Sequence, residues 1–305
     1  MTLPRLQLSV IGDEIGPTLD EMISFAHEHG LKNLDMRTVG GRSLLAMKPE
    51  EVIQISRTLE KAGISVPAFV SPLFKWLPKG LVGTGGKPDF GFEPEECPEE
   101  EMIAHAMQIA VILGAAHLRI FSFLRFEGFE KINLMNGEFT KLYGLATHYD
   151  VALQLENEPV CNIGSIAEMA DFFRWYEHAR LATAPEDEFE QRPVGEEEMY
   201  LRPLIDFANA LSTGERASDA DLDLLAPITT AIHLKDRDLK AGRAVPFGEG
   251  DVPWADELRR LLARTKAPEI LASIETHCPE EGRAATARAI AGFRRIAAEI
   301  GAEVV

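Results

Sequence analysis

The side chains with the most chemistry to offer stand at the ends of apolar runs. VALQLENEP (151–159) closes a strand-like stretch on Glu156, with Asn157 and Glu158 behind it. LRPLIDF (201–207) ends with Asp206, TTAIHLKD (229–236) with His233, Lys235 and Asp236, and EILASIETH (269–277) with Glu275 and His277. A carboxylate at the end of a buried strand is costly unless its charge is compensated. Three carboxylates brought to one place would repel and raise one another's pKa. A divalent cation removes that penalty. Three oxygen donors and one imidazole, with room for water, suit Mn2+ first, then Mg2+ or Co2+, better than a closed structural zinc site. The expected ligands are Glu156, Asp206, His233 and Glu275.

That expectation needs the runs to be neighbours in space. Strand-like runs alternate with helical patterns along the chain, at 6–12, 33–38, 66–72, 117–123, 151–157, 201–207, 229–236 and 269–276. Apolar residues recur at three- and four-residue intervals over 18–30, 49–63, 99–114, 165–180, 253–266 and 279–301, and more weakly over about 127–147 and 217–226. Thr18, Ser165 and Asp251 stand at N-cap positions, and Gly30 and Gly63 where a helix must stop in a left-handed turn. Alternating strands and helices predict parallel pairing. Eight such units predict an α/β fold, a (β/α)8 TIM barrel formed by a single domain over 1–305. Insertions are expected at about 74–100 and 181–200. The first follows a strand's C-terminal end, so a lid over the site is one reading of it; the second falls on the opposite face. A doubly wound sheet would bring a glycine-rich phosphate turn after strand one, and GDEIGPT has none. GLVGTGGKP (80–88) belongs to the first insertion and leads from no strand into a helix.

In a barrel the C-terminal strand ends form the catalytic rim, and side chains alternate in and out with period two. Taken singly, each ligand has a plainer reading. Glu156 could be solvated, Asp206 could cap the turn after it, and His233 could be a hydrogen-bonded core histidine. Four groups at equivalent places on four successive strands favour the metal. Glu158 and His277 face the same side and either line the pocket or are solvated. Lys235 is a substrate-binding cation or a partner for Asp236. FGEGDVPW (247–254) is explained by tight turns at Gly248 and Gly250 and a helix start.

The formal net charge of -18 argues against nucleic acid, which needs Lys and Arg for its phosphates. No run approaches a membrane span, so no membrane is expected. Three scattered cysteines, Cys97, Cys161 and Cys278, make no disulfide framework, and a reducing cytoplasm is the expected compartment.

The ordered set GDEIGPTLDEMISFAHEHGLKNLDMRTV, SPLFK, LGAAHLRIFSF, LQLENE, LIDFAN, HLKD, FGEGDVPW and SIETH resembles the xylose isomerase-like TIM-barrel family, also called the sugar phosphate isomerase/epimerase family. The resemblance spans nearly the whole chain. It implies a metal held by Glu156, Asp206, His233 and Glu275, and proton exchange with a sugar or sugar derivative by Glu156 and Glu275. It also implies that Arg37, Lys75 and Arg119 reach substrate, and it places FGEGDVPW beside the site. Epimerases often carry a substrate-binding His three residues after the strand-six Asp. Here that residue is Asn209, which can still bond a hydroxyl.

The expected reaction is isomerisation or epimerisation through an enediolate. Loss of a β-leaving group from the same species would make the enzyme a lyase or dehydratase. Some family members cleave C-glycosides of oxidised sugars with a small partner subunit; that arrangement and a homo-oligomer both stay open. Apurinic-site endonucleases share the barrel but need several more histidines and a basic face. A non-catalytic sugar-binding barrel is the remaining alternative.

Overall fold

Seven parallel strands form the sheet: β1 (Arg5–Val10), β2 (Ala68–Phe69), β3 (His117–Ile120), β4 (Ala152–Glu156), β5 (Leu201–Asp206), β6 (Ala231–Leu234) and β7 (Glu269–Ile274). Their order is β1-β7-β6-β5-β4-β3-β2. The computed structural model describes residues 3–87, 92, 99–183 and 200–305. Most of the expected insertion at 181–200, and 88–98 of the first except Phe92, lie outside the described residues, Cys97 with them.

The ring is closed by the stretch expected as strand two. Asp35 donates its N–H to Val10 O (2.9 Å) and its carbonyl accepts from Gly12 N (2.9 Å). On its other side Met36 N donates to Ala68 O (3.1 Å) and Val70 N to Met36 O (2.9 Å). These are isolated bridges rather than a full ladder. The cause lies in residues 303–305, which occupy the neighbouring edge of β1: Leu6 N donates to Glu303 O (2.8 Å), Val305 N to Leu6 O (2.9 Å) and Leu8 N to Val305 O (3.1 Å). The 33–36 stretch therefore reaches β1 only near its C-terminal end.

The helices follow the expected pattern: α1 (Leu19–His29), α2 (Pro49–Lys61), α3 (Glu99–Leu113), α4 (Glu138–Tyr149), α5 (Ile166–Thr183), α6 (Phe207–Ser212), α7 (Asp219–Leu225), α8 (Trp254–Leu262) and α9 (Arg283–Ile300). Thr18 and Glu21 form a reciprocal capping box, and Gly30 ends α1 at φ 64°. Ser165 Oγ accepts from Glu168 N (3.0 Å) at the start of α5. Asp251 is a correction. Pro253 is the N-cap of α8, and the Asp251 carboxylate accepts from Leu239 N (2.7 Å) instead. The short α6, capped by Asp206, has too few residues to show a helical period.

Alternation along the strands sorts the side chains. Ile232, Leu234, Ile270, Ala272 and Ile274 join the large core under the helices, and Ile11, Ala68, Val70, Leu204, Ala231 and Leu271 form a small apolar cluster of their own. Polar side chains fill other positions of the ring. His117 accepts a hydrogen bond at Nδ1 from Gln154 Nε2 (2.9 Å), and burial, with Arg202 nearby, pushes its pKa down to about 4. An unfolded chain takes up this proton near pH 6.5 and the folded one only near 4, so stability falls as pH drops through that window. The contribution at pH 5 is about 2 kcal/mol at most. Urea unfolding at pH 7 and pH 5 should show a smaller acid loss in His117→Phe than in the parent; equal losses would remove His117 from the account.

Candidate metal and active site

Glu156, Asp206, His233 and Glu275 converge at the C-terminal rim. One ligand-competent atom from each lies within 4.8 Å of all the others, and all four residues are buried. His233 Nδ1 is 3.1 Å from Glu156 Oε1 and 3.1 Å from Glu275 Oε2. The placement follows from register: Asp206 pairs with His233 across β5 and β6, and Glu275 follows Ser273, the partner of His233 on β7, by one inward position.

Lys235, one inward position beyond His233, enters the same cluster. Its Nζ lies 2.8 Å from Glu275 Oε2, 2.9 Å from Asp206 Oδ2 and 3.2 Å from Glu156 Oε1. It does not pair with Asp236. The Asp236 carboxylate accepts four backbone N–H groups instead, from Arg237 (2.9 Å), Gly248 (2.9 Å), Gly250 (3.1 Å) and Val252 (3.1 Å). Three of those donors, Gly248, Gly250 and Val252, belong to FGEGDVPW. A Cβ on Gly250 would meet Asp236 Oδ1 at 2.3 Å. Trp254 Nε1 also donates to Lys235 O (3.0 Å), so the backbone under Lys235 is fastened on both sides.

Each outer glutamate is held by its own arginine. Arg119 Nη1 pairs with Glu156 Oε2 at 3.2 Å while its Nε donates to Ser71 O (3.1 Å). Arg37 Nη1 pairs with Glu275 Oε1 at 2.6 Å, its Nε with Asp13 Oδ2 at 3.1 Å and its Nη2 with Glu14 Oε1 at 2.8 Å. His277, at φ 52°, sets Nε2 2.8 Å from Glu275 Oε1. A non-glycine residue held at positive φ is a strained arrangement that recurs at functional sites. Asn209 fixes the framework: its N–H donates to the capping Asp206 Oδ1 (2.8 Å), and its Nδ2 donates to Asn157 O (2.9 Å) and reaches Glu156 Oε1 (3.5 Å). Lys75 stands apart at the rim, paired with Glu158 at 3.0 Å and over the Phe121 ring.

Sequence reasoning passed over Asp13, Glu14 and Asn157 as site residues. Asp13 and Glu14 follow the end of strand one, so the strand-end rule applied there would have found them. Asn157 clamps β4 to β5, accepting from Asp206 N (2.8 Å) and donating to Asp206 O (2.9 Å). A second acidic group, Glu14 with Glu275 and His277, also meets metal-site spacing. Its Glu14 oxygens, however, accept from Thr276 Oγ1 (2.7 Å), His277 N (3.0 Å) and Arg37, so it is a hydrogen-bonded brace.

The charges interact strongly. Burial pushes the Glu156 and Glu275 carboxyls up, but Lys235 with its neighbouring cations outweighs it and holds both well below the usual range. Burial raises Asp206, with Glu156 adding to the rise against Lys235. Burial disfavours the imidazolium of His233, yet Glu156 and Glu275 push its pKa up to about 9. The donor set fits a divalent cation. Two of its oxygens, Asp206 Oδ2 and Glu275 Oε2, are buried and accept no well-directed hydrogen bond, although Lys235 Nζ is close to both. Mn2+, Mg2+ or Co2+ there would take the neutral imidazole, so His233 would release its proton on loading.

No protein-family model matches the chain, and no curated protein matches it. Solved structures do. The IolI protein, whose structure holds a zinc atom, superposes with a TM-score of 0.68 at 13% identity, over 96% of this chain and 99% of that one. A D-tagatose 3-epimerase-like protein gives 0.63 at 12%, over 97% and 98%. A xylose isomerase-like TIM-barrel protein from Mycobacterium smegmatis, in complex with magnesium, gives 0.60 at 12%, over 97% and 98%. The likeness is one of fold: this chain has the xylose isomerase-like TIM-barrel architecture that its sequence resembled. Among the described residues, no helix is long and apolar enough to cross a membrane.

Proposed function

We propose that the chain is a divalent-metal-dependent sugar isomerase or epimerase that works by proton transfer through an enediolate. One observation carries this reading. Two buried glutamates, Glu156 and Glu275, present one oxygen each to a shared cation position, while Arg119 and Arg37 hold the other oxygens. Similarity of fold to a D-tagatose 3-epimerase-like protein supports it.

Bound by Glu156, Asp206, His233 and Glu275, the cation would polarise a substrate carbonyl and stabilise the negative charge that develops on its oxygen. Glu156 or Glu275 takes the proton from the adjacent carbon onto a carboxylate oxygen, and the C–H electron pair moves into the new C=C bond as the carbonyl becomes an enolate. The opposite glutamate, protonated beforehand by water at the rim, returns its proton; the C=C pair becomes the new C–H bond, the carbonyl re-forms, and water resets both carboxyl groups. Return to the other face of the same carbon gives an epimer; return to the former carbonyl carbon, with the hydroxyl proton passing from the first carbon's oxygen to the second's, gives the isomer. Arg37 and Arg119 act here as positioning groups that aim both carboxyl groups and favour the ionised form of the one that accepts the proton. Asn209 keeps Glu156 and Asp206 in register, and Lys75, Glu158 and His277 stand where a sugar would enter.

The test is to load the protein with Mn2+ or Mg2+, measure the bound metal, and incubate it with aldoses, ketoses and oxidised sugars in heavy water. Solvent deuterium is expected at the carbon next to a carbonyl in one of them. Loss of a hydroxyl or a glycosidic group from that substrate would make the enzyme a lyase. Fully loaded protein that exchanges with no sugar would overturn the proposal.

A further inference from the structure

We propose that Lys235 is a built-in counter-ion for the acid cluster, and that its ammonium and the divalent cation are alternative occupants of one position. The proposal rests on the metal reading above and goes beyond it. Lys235 Nζ lies where the inward oxygens of Glu156, Asp206 and Glu275 converge, at 2.8 to 3.2 Å from each. The opposite oxygens of these carboxylates are taken, by Arg119, by Asn209 N and by Arg37. Only the inward ones remain for a metal.

An ion of the Mg2+ class sits about 2.0–2.1 Å from its oxygens. An ion bound to the same three oxygens would crowd the ammonium that now lies 2.8 to 3.2 Å from each of them. Two cations there would also repel at close range in a poorly screened interior. Occupancy is therefore exclusive. The exchange must be a swing of the lysine's flexible four-carbon stem, because Trp254 Nε1 on Lys235 O and the amide ring around Asp236 pin the backbone. The same lysine explains how the metal-free barrel holds together. Three carboxylates from three strands are buried within 4.8 Å with His233, and without a cation they would force the strand ends apart or take up protons.

Lys235→Met keeps the apolar stem and removes the charge. Calorimetric titration of chelator-stripped protein with Mn2+ should show the variant binding about tenfold or more tightly than the parent, since no charged hydrogen-bonded partner has to be displaced. Its metal-free form should melt at a lower temperature than the metal-free parent, and metal should restore it. Equal affinities would overturn the exchange and leave the metal site standing. Binding by neither protein would overturn both. A measurement on the parent does not depend on the variant folding. In lysine labelled with 13C and 15N at the side chain, the one resonance missing from Lys235→Arg should move in step with Mg2+ occupancy. A Lys235 signal unchanged at saturation would overturn the exchange.

Discussion

Glu275→Gln is expected to lower turnover by about a hundredfold to ten-thousandfold, the usual contribution of a positioned acid or base. The amide keeps the shape and can still accept from Arg37 at one atom. At the other it places an N–H₂ against Lys235 Nζ and His233 Nδ1, where the structure has a carboxylate oxygen 2.8 and 3.1 Å away. Metal affinity should therefore fall together with proton transfer. Deuterium exchange into the best substrate, measured beside bound metal and circular dichroism, separates the two losses from unfolding. Glu158→Gln at the rim is the control, and its effect should be far smaller. A Glu275→Gln protein with full metal and full exchange would remove Glu275 from the chemistry.

Arg37→Met should be strongly destabilising. The side chain is 3% exposed and pairs with Asp13, Glu14 and Glu275. Removing it leaves buried carboxylates facing one another without their shared cation, a loss of about 3–5 kcal/mol. Urea unfolding of the metal-free protein measures this. In a Glu14→Gln background one of the stranded charges is gone, so Arg37→Met should cost less there. Identical costs in both backgrounds would show that Arg37 acts through packing alone.

The four ligand candidates were legible because strand periodicity is local. A residue's parity along a strand decides which face it takes, and neighbouring parallel strands put equivalent parities side by side. Glu156, Asp206, His233 and Glu275 needed only that parity and the barrel order of their strands. Lys235 shares parity with His233, but the position of a long side chain's tip depends on which charges surround it, and those come from three other strands. The Arg37 brace was hidden for a similar reason, since its partners come from the turn after β1 and the end of β7. The cap of α8 went astray because Asp251 had a competing donor, Leu239 N, brought close by the turn between Asp236–Asp238 and Arg243–Val245. Strand two was foreseen as a regular strand and is a row of bridges, because residues 303–305 hold much of the β1 edge it would have used. Nothing near residue 33 in the sequence reports that rival.

That rival has a consequence for how the barrel assembles. Most hydrogen-bonding partners of β1, on β7 and at 303–305, lie far from it along the sequence. During synthesis this strand would wait with one edge bare and the other bonded only near Val10, through Asp35, until those partners had been made. Closure of the ring is thus a late, long-range event, slow by the topology of its contacts. A chain cut short before residue 303 would carry an open strand edge able to recruit another molecule, and aggregation should precede any loss of the acid cluster itself.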